Sequence, residues 1–341
     1  MCENEGEPVE VLPGIWRVEA EMVSRPYRIT TNAYLLMGDD DALAVDTAWW
    51  NDVPTRHVDA LAALAEAASA PLGGIFLTHA HRDHSGFAEH LSERGGDPLP
   101  VSLHRDEQPT VAAMSNYQGL PHRQAAIDWY CGFGFPAHTA AMIVDTKQPD
   151  HPLVARVMRW CEDDAVLEVG RRRLRVLPTP GHTPGHAALF EEATGVLFSG
   201  DAMLPRGNGN PHVTVRPFTA HDPLTDYVEG LRRLRDLDIR VCLPGHGPLV
   251  EDVDGLIRSH LDYVDTKMTP VRAALGDRPL TVYEIAGTIP WRGGRKSFAD
   301  LVNDEWFLAF GDTLARVRRA VSLGWAVEEP RGDGVPTFRA A

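Results

Sequence analysis

The chain runs to 341 residues, 43% hydrophobic and 24% charged, with a formal net charge of −15 at pH 7. These are ordinary globular values, and the length leaves room for a large core plus an appended small domain. The acidic surplus disfavours a general binder of nucleic acid or anionic membrane, and no apolar run reaches the roughly 18 to 20 residues that span a bilayer.

The amino terminus, Met1-Cys2-Glu3-Asn4-Glu5-Gly6-Glu7, is acidic and lacks the apolar core of a secretory signal. Cys2, Cys131, Cys161 and Cys242 show no Cys-x-x-Cys spacing, which suits a reducing, cytoplasmic setting. Residues 9–18, around a Pro13-Gly14 turn, then 32–37 and 42–46 read as strands, with Asp39-Asp40-Asp41 as a solvated turn between the last two. Asp46-Thr47 closes its strand as a supporting pair rather than a ligand. Residues 53–68 are alanine-rich with apolar residues near helical spacing, the pattern of an outer helix. Ile75-Phe76-Leu77-Thr78 is then a short buried strand, and it runs directly into His79-Ala80-His81-Arg82-Asp83-His84, from which a further helix begins over 84–93.

The long stretch between His84 and His182 contains an excess at about 105–165, rich in Tyr117, Trp129, Tyr130, Phe133, Phe135, Trp160, Met114, Met142 and Met158. Gly132-Phe133-Gly134-Phe135-Pro136 divides it into two helices. Such an insertion is expected to act as a lid over a substrate pocket, or else as a satellite core or dimer contact. His104, His122, His138 and His151 lack ligand-like spacing. A strand at 174–177 leads into the Gly/Pro turn carrying His182 and His186. The strand Val196-Leu197-Phe198-Ser199-Gly200 ends in Asp201, and Val241-Cys242-Leu243-Pro244 ends in Gly245-His246-Gly247. Between them, Arg206, His212 and Arg216 lie in a loop where they are candidates for an anionic substrate group. Residues 226–237 read as an outer helix.

From about 266 the character changes. Thr281-Val282-Tyr283-Glu284 offers a capping box, Leu314, Val317 and Val321 recur at helical spacing, and Gly324 is a stop. Residues 325–327 and 336–338 are expected to pair as a hairpin. Arg316, Arg318 and Arg319 are the dense basic cluster of this tail, assigned to packing or dimerisation before nucleic acid.

Three imidazoles in one short turn are hard to explain as packing, because each buried ring needs its own hydrogen-bond partner. Histidine nitrogens and carboxylate oxygens are the usual ligands of zinc and related ions. Four strands each deliver His or Asp at the carboxyl end, and that shared placement points to one metal-binding site.

The order of these four motifs resembles the metallo-β-lactamase superfamily, and within it the two-metal hydrolases, over roughly residues 10–260. Carried over position by position, His79, His81 and His182 match the ligands of one metal. Asp83, His84 and His246 match those of the second, and Asp201 matches the carboxylate between them. The resemblance implies an α+β chain: an αββα sandwich over residues 8–265, with the helical insertion at about 105–165, and a small winged-helix-like domain at 266–341. It also implies two divalent ions, zinc by default with iron or manganese suited to the same donors. They would share a water whose pKa falls from about 15.7 toward 7. The resulting bridging hydroxide is expected to attack a carbonyl or phosphorus. Asp83 would orient it, and His186 would donate a proton or brace the turn.

The commonest zinc β-lactamases carry cysteine where this chain has Asp201. The likeness therefore falls on glyoxalase II, lactonases, other thioesterases and the phosphodiester-cleaving branches. Acidic composition and the apolar insertion favour a small-molecule or acyl-thioester substrate, so hydrolysis of a thioester or an ester, lactones included, is the first reading. A phosphodiesterase or ribonuclease is the alternative, and a non-catalytic binding or regulatory protein on this scaffold is a third. Nucleic acid and membrane are not the expected partners; a second copy of the chain is, if the insertion is a dimer contact.

Overall fold

The computed structural model describes residues 6–24, 27–48, 56–94, 96–116, 120–146, 158–205, 213, 222–302 and 304–341. Its chain divides into two compact units, Met1–Ser115 with Asp150–Pro211 and Gly230–Ile257, and Asn116–Pro149 with His212–Glu229 and Arg258–Ala341. This division differs from a linear boundary near 265, because the middle of the insertion belongs with the tail.

In the first unit, β1 (Val9–Leu12), β2 (Ile15–Ser24), β3 (Tyr27–Met37), β4 (Ala42–Val45), β5 (Leu72–Phe76), β6 (Val101–His104) and β7 (Met158–Cys161) form a seven-stranded sheet in that order. A second sheet has the order β12-β11-β10-β9-β8. Its strands are β8 (Val166–Val169), β9 (Arg172–Pro178), β10 (Ala187–Glu191), β11 (Val196–Gly200) and β12 (Val241–Pro244). Among the described residues the α-helices are α1 (Arg56–Ala67), α2 (Arg82–Ser85), α3 (Ala88–Glu93), α4 (Gln108–Asn116), α5 (Leu120–Cys131), α6 (Ala137–Thr146), α7 (Pro223–Arg235), α8 (Val253–Ala274), α9 (Val282–Thr288) and α10 (Asp304–Ser322). The helix expected over 84–93 is in fact broken into α2 and α3 around Gly86 and Phe87.

Period-two alternation explains the sandwich. Tyr34 and Leu36 of β3, Leu43 and Val45 of β4, and Phe76 of β5 meet Leu174, Val176, Leu189 and Phe198 of the second sheet in one core. Their neighbours Ala33, Leu35 and Ala42 point the other way, against Leu61 and Ala65 of α1, while Ile75 and Leu77 pack with Leu91 of α3. Strands buried on both faces read as continuous apolar runs, which is why 33–36 and 75–77 stand out in the sequence. This is the α+β sandwich the resemblance implies.

The second unit contains α5, α6, α9 and the hairpin β13 (Ala326–Pro330) and β14 (Pro336–Ala340), with α10 between them. The capping box at Thr281 forms as expected, with the Thr281 side chain accepting from Glu284 N–H. The aromatic residues of the insertion are spent here. Phe310 of α10 is buried, with ring centroids 5.4 Å from Trp129, 5.1 Å from Tyr130 and 4.6 Å from Phe135. Phe135 also meets Tyr283 at 4.8 Å, all within the range of favourable edge contacts. The insertion is thus a satellite core with the tail, and Met158 and Trp160 lie instead on β7 of the first unit, packed against the core that holds Leu91 of α3. Tyr117 lies outside the described residues.

The basic cluster of α10 is not a solvated face. Arg316 is 2% exposed, pairs with Asp312 and lies 5.7 Å over the Trp291 ring. Arg319 is also buried and donates to Thr225 Oγ1 at 3.1 Å. Among the described residues no helix is long and apolar enough to cross a membrane.

Because Phe310 is the common neighbour of Trp129, Tyr130, Phe133 and Phe135, Phe310→Ala is expected to cost about 3–5 kcal/mol. Chemical denaturation followed by Trp129 fluorescence would check this; a loss under about 1 kcal/mol would mean that the cluster is not a core.

Candidate metal centre

Each predicted ligand sits just past the carboxyl end of a strand in the first unit: β5 leads into His79–His84, β9 into His182, β11 into Asp201 and β12 into His246. The strand ends are laced together, with Ala187 N–H donating to Thr78 C=O at 2.9 Å and Gly245 N–H to Gly200 C=O at 2.9 Å. Thr47 N–H donates to His84 C=O at 2.6 Å. Backbone pairing of this kind holds side chains to sub-ångström tolerance better than free loops do. Gly245 has to be glycine, since a Cβ there would stand 2.5 Å from both Asp201 Oδ1 and His84 Cε1.

The seven predicted ligands converge. His81 Nδ1 is 3.0 Å from His79 Nε2 and 2.8 Å from His182 Nε2. On the other side, Asp83 Oδ2 is 3.4 Å from His246 Nε2 and 3.7 Å from His84 Nε2. Asp201 faces both groups: its Oδ2 is 3.5 Å from His182 Nε2 and 3.5 Å from His246 Nε2, and its Oδ1 is 3.4 Å from His84 Nε2. Ligand atoms within 4.8 Å of one another define three groups able to hold an ion: His79, His81 and His182; Asp83, His84 and His246; and His79, His84 and Asp201.

The tautomers are set from behind. Asp46 Oδ2 accepts from His84 Nδ1 at 2.8 Å and from Thr78 Oγ1 at 2.9 Å, leaving that hydroxyl oxygen to accept from His79 Nδ1 at 3.1 Å. His246 Nδ1 donates to Thr30 C=O at 2.8 Å. In His79, His84 and His246 the Nε2 atom is therefore turned inward as a ligand atom, the arrangement in which a carboxylate or carbonyl fixes a metal-binding histidine. Asp46 takes this role with φ +59°, a left-handed conformation uncommon outside glycine and tolerated at functional sites.

This donor set fits divalent cations. His84 Nε2 and Asp201 Oδ1 are buried and face each other at 3.4 Å with no hydrogen bond to any other group, a state that a bound cation would satisfy. Inward nitrogens and carboxylate oxygens are the donors of zinc, iron and manganese.

Charge divides the cluster into two halves. Burial, then the neighbouring His84, His81 and His182, push His79 well below the usual histidine range, so it stays neutral. Burial alone would also depress His84 and His246. Asp201, with Asp46 and Asp83, outweighs it at His84, which rises well above the usual range. Asp201 and Asp83 likewise raise His246 to about 10. In return, against the opposing effect of burial, His246 and His84 hold Asp201 well below the ordinary carboxylate range, and lower Asp83 as well.

His186 is not placed to donate a proton. Its Nε2 accepts from Asp201 N–H at 3.0 Å, so its Nδ1 carries the hydrogen toward Thr179 Oγ1 at 2.8 Å. Burial, and then His182, push its pKa down to about 3, and it remains the neutral brace of the Asp201 backbone. His104 pairs with Asp163 at 2.9 Å and His138 with Thr139 at 3.2 Å, apart from the cluster. Arg206, His212 and Arg216 lie outside the described residues, as does His151. Sequence reasoning missed Thr78, Thr30 and Glu107. Thr78 is signalled only by preceding the His-x-His turn, and Thr30 acts through its carbonyl, which no side-chain pattern reveals.

A two-sheet sandwich that gathers histidines and aspartates at its strand ends defines a metal-binding hydrolase. The model described as the metallo-beta-lactamase superfamily matches residues 27–246, and the chain belongs to that superfamily. It is 25% identical over 295 residues to the probable metallo-hydrolase YqjP of Bacillus subtilis (strain 168), covering 83% of this chain and 85% of that protein. The crystal structure of a metallo-beta-lactamase family protein from Thermus thermophilus aligns with TM-score 0.72 at 25% identity, covering 97% of this chain and all 100% of the other. An atrochrysone carboxyl ACP thioesterase from Aspergillus fumigatus is 23% identical over 245 residues, 72% of this chain and 59% of that protein.

Asp46→Asn would put an amide hydrogen or a weaker acceptor where both Thr78 and His84 now donate. It is expected to weaken metal affinity about 10- to 100-fold, read by chelator competition; unchanged affinity would remove Asp46 from the site. The raised His246 sets a pH dependence in chelator-treated protein. A histidine raised from 6.5 to about 10 contributes stability that is complete below pH 6.5 and lost as pH rises through about 10. Thermal melts of stripped protein should therefore fall across that interval, and should do so less when His246 is replaced by Gln.

Proposed function

We propose that the chain is a binuclear metal-dependent hydrolase that cleaves a thioester or an ester, lactones included. The observation that carries this reading is the position of Asp201 Oδ2, 3.5 Å from His182 in one group and 3.5 Å from His246 in the other. His79, His81 and His182 would hold one ion, Asp83, His84 and His246 the second, and Asp201 both; zinc is the ion this set favours. Two bound ions supply Lewis acidity and lower the pKa of water to near neutrality.

The residues themselves do the rest. Asp83 is the partly exposed carboxylate of the cluster, with its side chain 18% exposed. It is therefore the group able both to orient a nucleophile and to exchange its proton with solvent. Asp46, through Thr78 and directly, keeps His79 and His84 in the tautomer with Nε2 inward. His186 and Thr179 fix the Asp201 backbone so that its carboxylate stays between the two groups.

Two observations support acyl over phosphodiester substrates: the relative named above is an ACP thioesterase, and Arg316 and Arg319 of the tail are committed to packing. The net charge of −15 agrees. The insertion's aromatic residues give no support, since they build the second unit's core.

The test is a panel of acyl thioesters, lactones and phosphodiesters assayed on metal-quantified protein. Turnover of thioesters or lactones is expected, with two ions per chain. Phosphodiester cleavage alone would transfer the assignment to the nuclease branch, and fewer than one ion per chain with no turnover would favour a binding protein. Asp83→Asn is expected to lower kcat about 10²–10⁴-fold; full activity would sink its assigned role.

A further inference from the structure

We propose that Glu107 is a positioning residue for the three-histidine half of the centre, acting as a clamp on the two loops that carry His79, His81 and His182. The inference rests on the metal-site reading above. Glu107 is fully buried in a 3-10 turn, Arg105–Glu107, directly after β6. Its Oε1 accepts from Ala80 N–H at 3.0 Å, and Ala80 lies between His79 and His81. Its Oε2 accepts from Thr183 Oγ1 at 2.9 Å and Gly185 N–H at 2.9 Å, on the loop that carries His182 and His186.

One carboxylate therefore ties a loop from the seven-stranded sheet to a loop from the five-stranded sheet. No neutral side chain does this job. All three donors point at the carboxylate, and only an ionised group offers acceptor capacity on both oxygens with no hydrogen of its own. The turn that presents Glu107 is itself fixed. Buried His104 accepts from Asp106 N–H at its Nδ1, and so donates from Nε2 to Asp163 at 2.9 Å. An independent observation places the two segments in contact: a Cβ on Gly185 would lie far inside van der Waals contact distance of the Glu107 backbone nitrogen. The His182 loop is pressed against this turn, and glycine at 185 is what allows it.

Glu107 belongs to none of the groups that could hold an ion, so its effect is expected as misplacement of His79, His81 and His182. A glutamine at 107 keeps the shape but turns an amide hydrogen toward at least one of the three donors. Orienting its oxygen to Thr183 and Gly185 leaves its NH₂ against Ala80 N–H, which pushes on the turn between His79 and His81.

The experiment measures Co²⁺ affinity by chelator competition and d–d absorption in two backgrounds. His246→Ala isolates the three-histidine group; His182→Ala isolates Asp83, His84 and His246. Glu107→Gln is expected to weaken Co²⁺ at least about 10-fold in the first background and to leave the second within about 2-fold. Thr183→Val, which removes a single donor and keeps the shape, is expected to show a smaller loss confined to the first background, and it carries the test should Glu107→Gln fail to fold. Equal losses in both backgrounds, or no loss from either substitution in the first, would overturn the role of Glu107. If the parent backgrounds themselves bind no Co²⁺, the two-ion reading fails instead, whatever Glu107 does.

Discussion

Seven ionisable side chains, five imidazoles and two aspartates, meet at the strand ends of the first unit, and five of the seven are buried. Burying such groups is costly unless each is satisfied, so everything behind them is arranged to fix which atom faces inward. Asp46 is the centre of that arrangement. Its carboxylate accepts from His84, from the Thr78 hydroxyl and from Thr78 N–H at 2.8 Å, and the Thr78 hydroxyl in turn accepts from His79. One ligand from each half of the centre thus depends on a single carboxylate, held in a left-handed backbone conformation to reach them.

The halves that Asp46 links differ in charge. His79 remains neutral because burial and its histidine neighbours lower it. His84 and His246 are surrounded by Asp83, Asp201 and, for His84, Asp46, so in the absence of a cation they hold protons. A divalent ion entering this second half must displace those protons, whereas His79 on the other side has none to give up. The same ligands that make a cation favourable make its binding pH-dependent, and unequally so.

How far this was legible from residues alone depends on where the information lies. Strands buried on both faces, such as 33–36 and 75–77, are apolar throughout and announce themselves. The ligands stand out because histidine and aspartate directly after such strands have few other uses. Asp46 was readable as a supporting residue since it too ends a buried strand. Glu107 was not, because His104-Arg105-Asp106-Glu107 looks like any polar segment after a strand and its three donors come from residues far away in sequence. The tautomer set by Thr30 is invisible for a plainer reason: a carbonyl has no letter. His186 was readable as a proton donor or as a brace, and only the direction of the Asp201 amide decides between the two.

The aromatic residues of the insertion show the complementary failure. Trp129, Tyr130, Phe133 and Phe135 near a metal-binding motif suggest a pocket wall, but aromatic content says only that area will be buried, not against what. Phe310, Tyr283 and Phe298 of the tail claim that area, with Phe135 at 4.6, 4.8 and 6.1 Å from them. A tail of 76 residues, counted 266–341, is small enough that a core of its own would be marginal, and α5 and α6 supply what it lacks. The insertion's composition is then explained by the tail's size. The same economy accounts for Arg316 and Arg319, whose stems and guanidinium planes fill α10's packing against Trp291 and Thr225. The aromatic cluster, which suggested a pocket wall when taken alone, and the basic cluster, assigned to packing from the start, are two sides of one folding requirement.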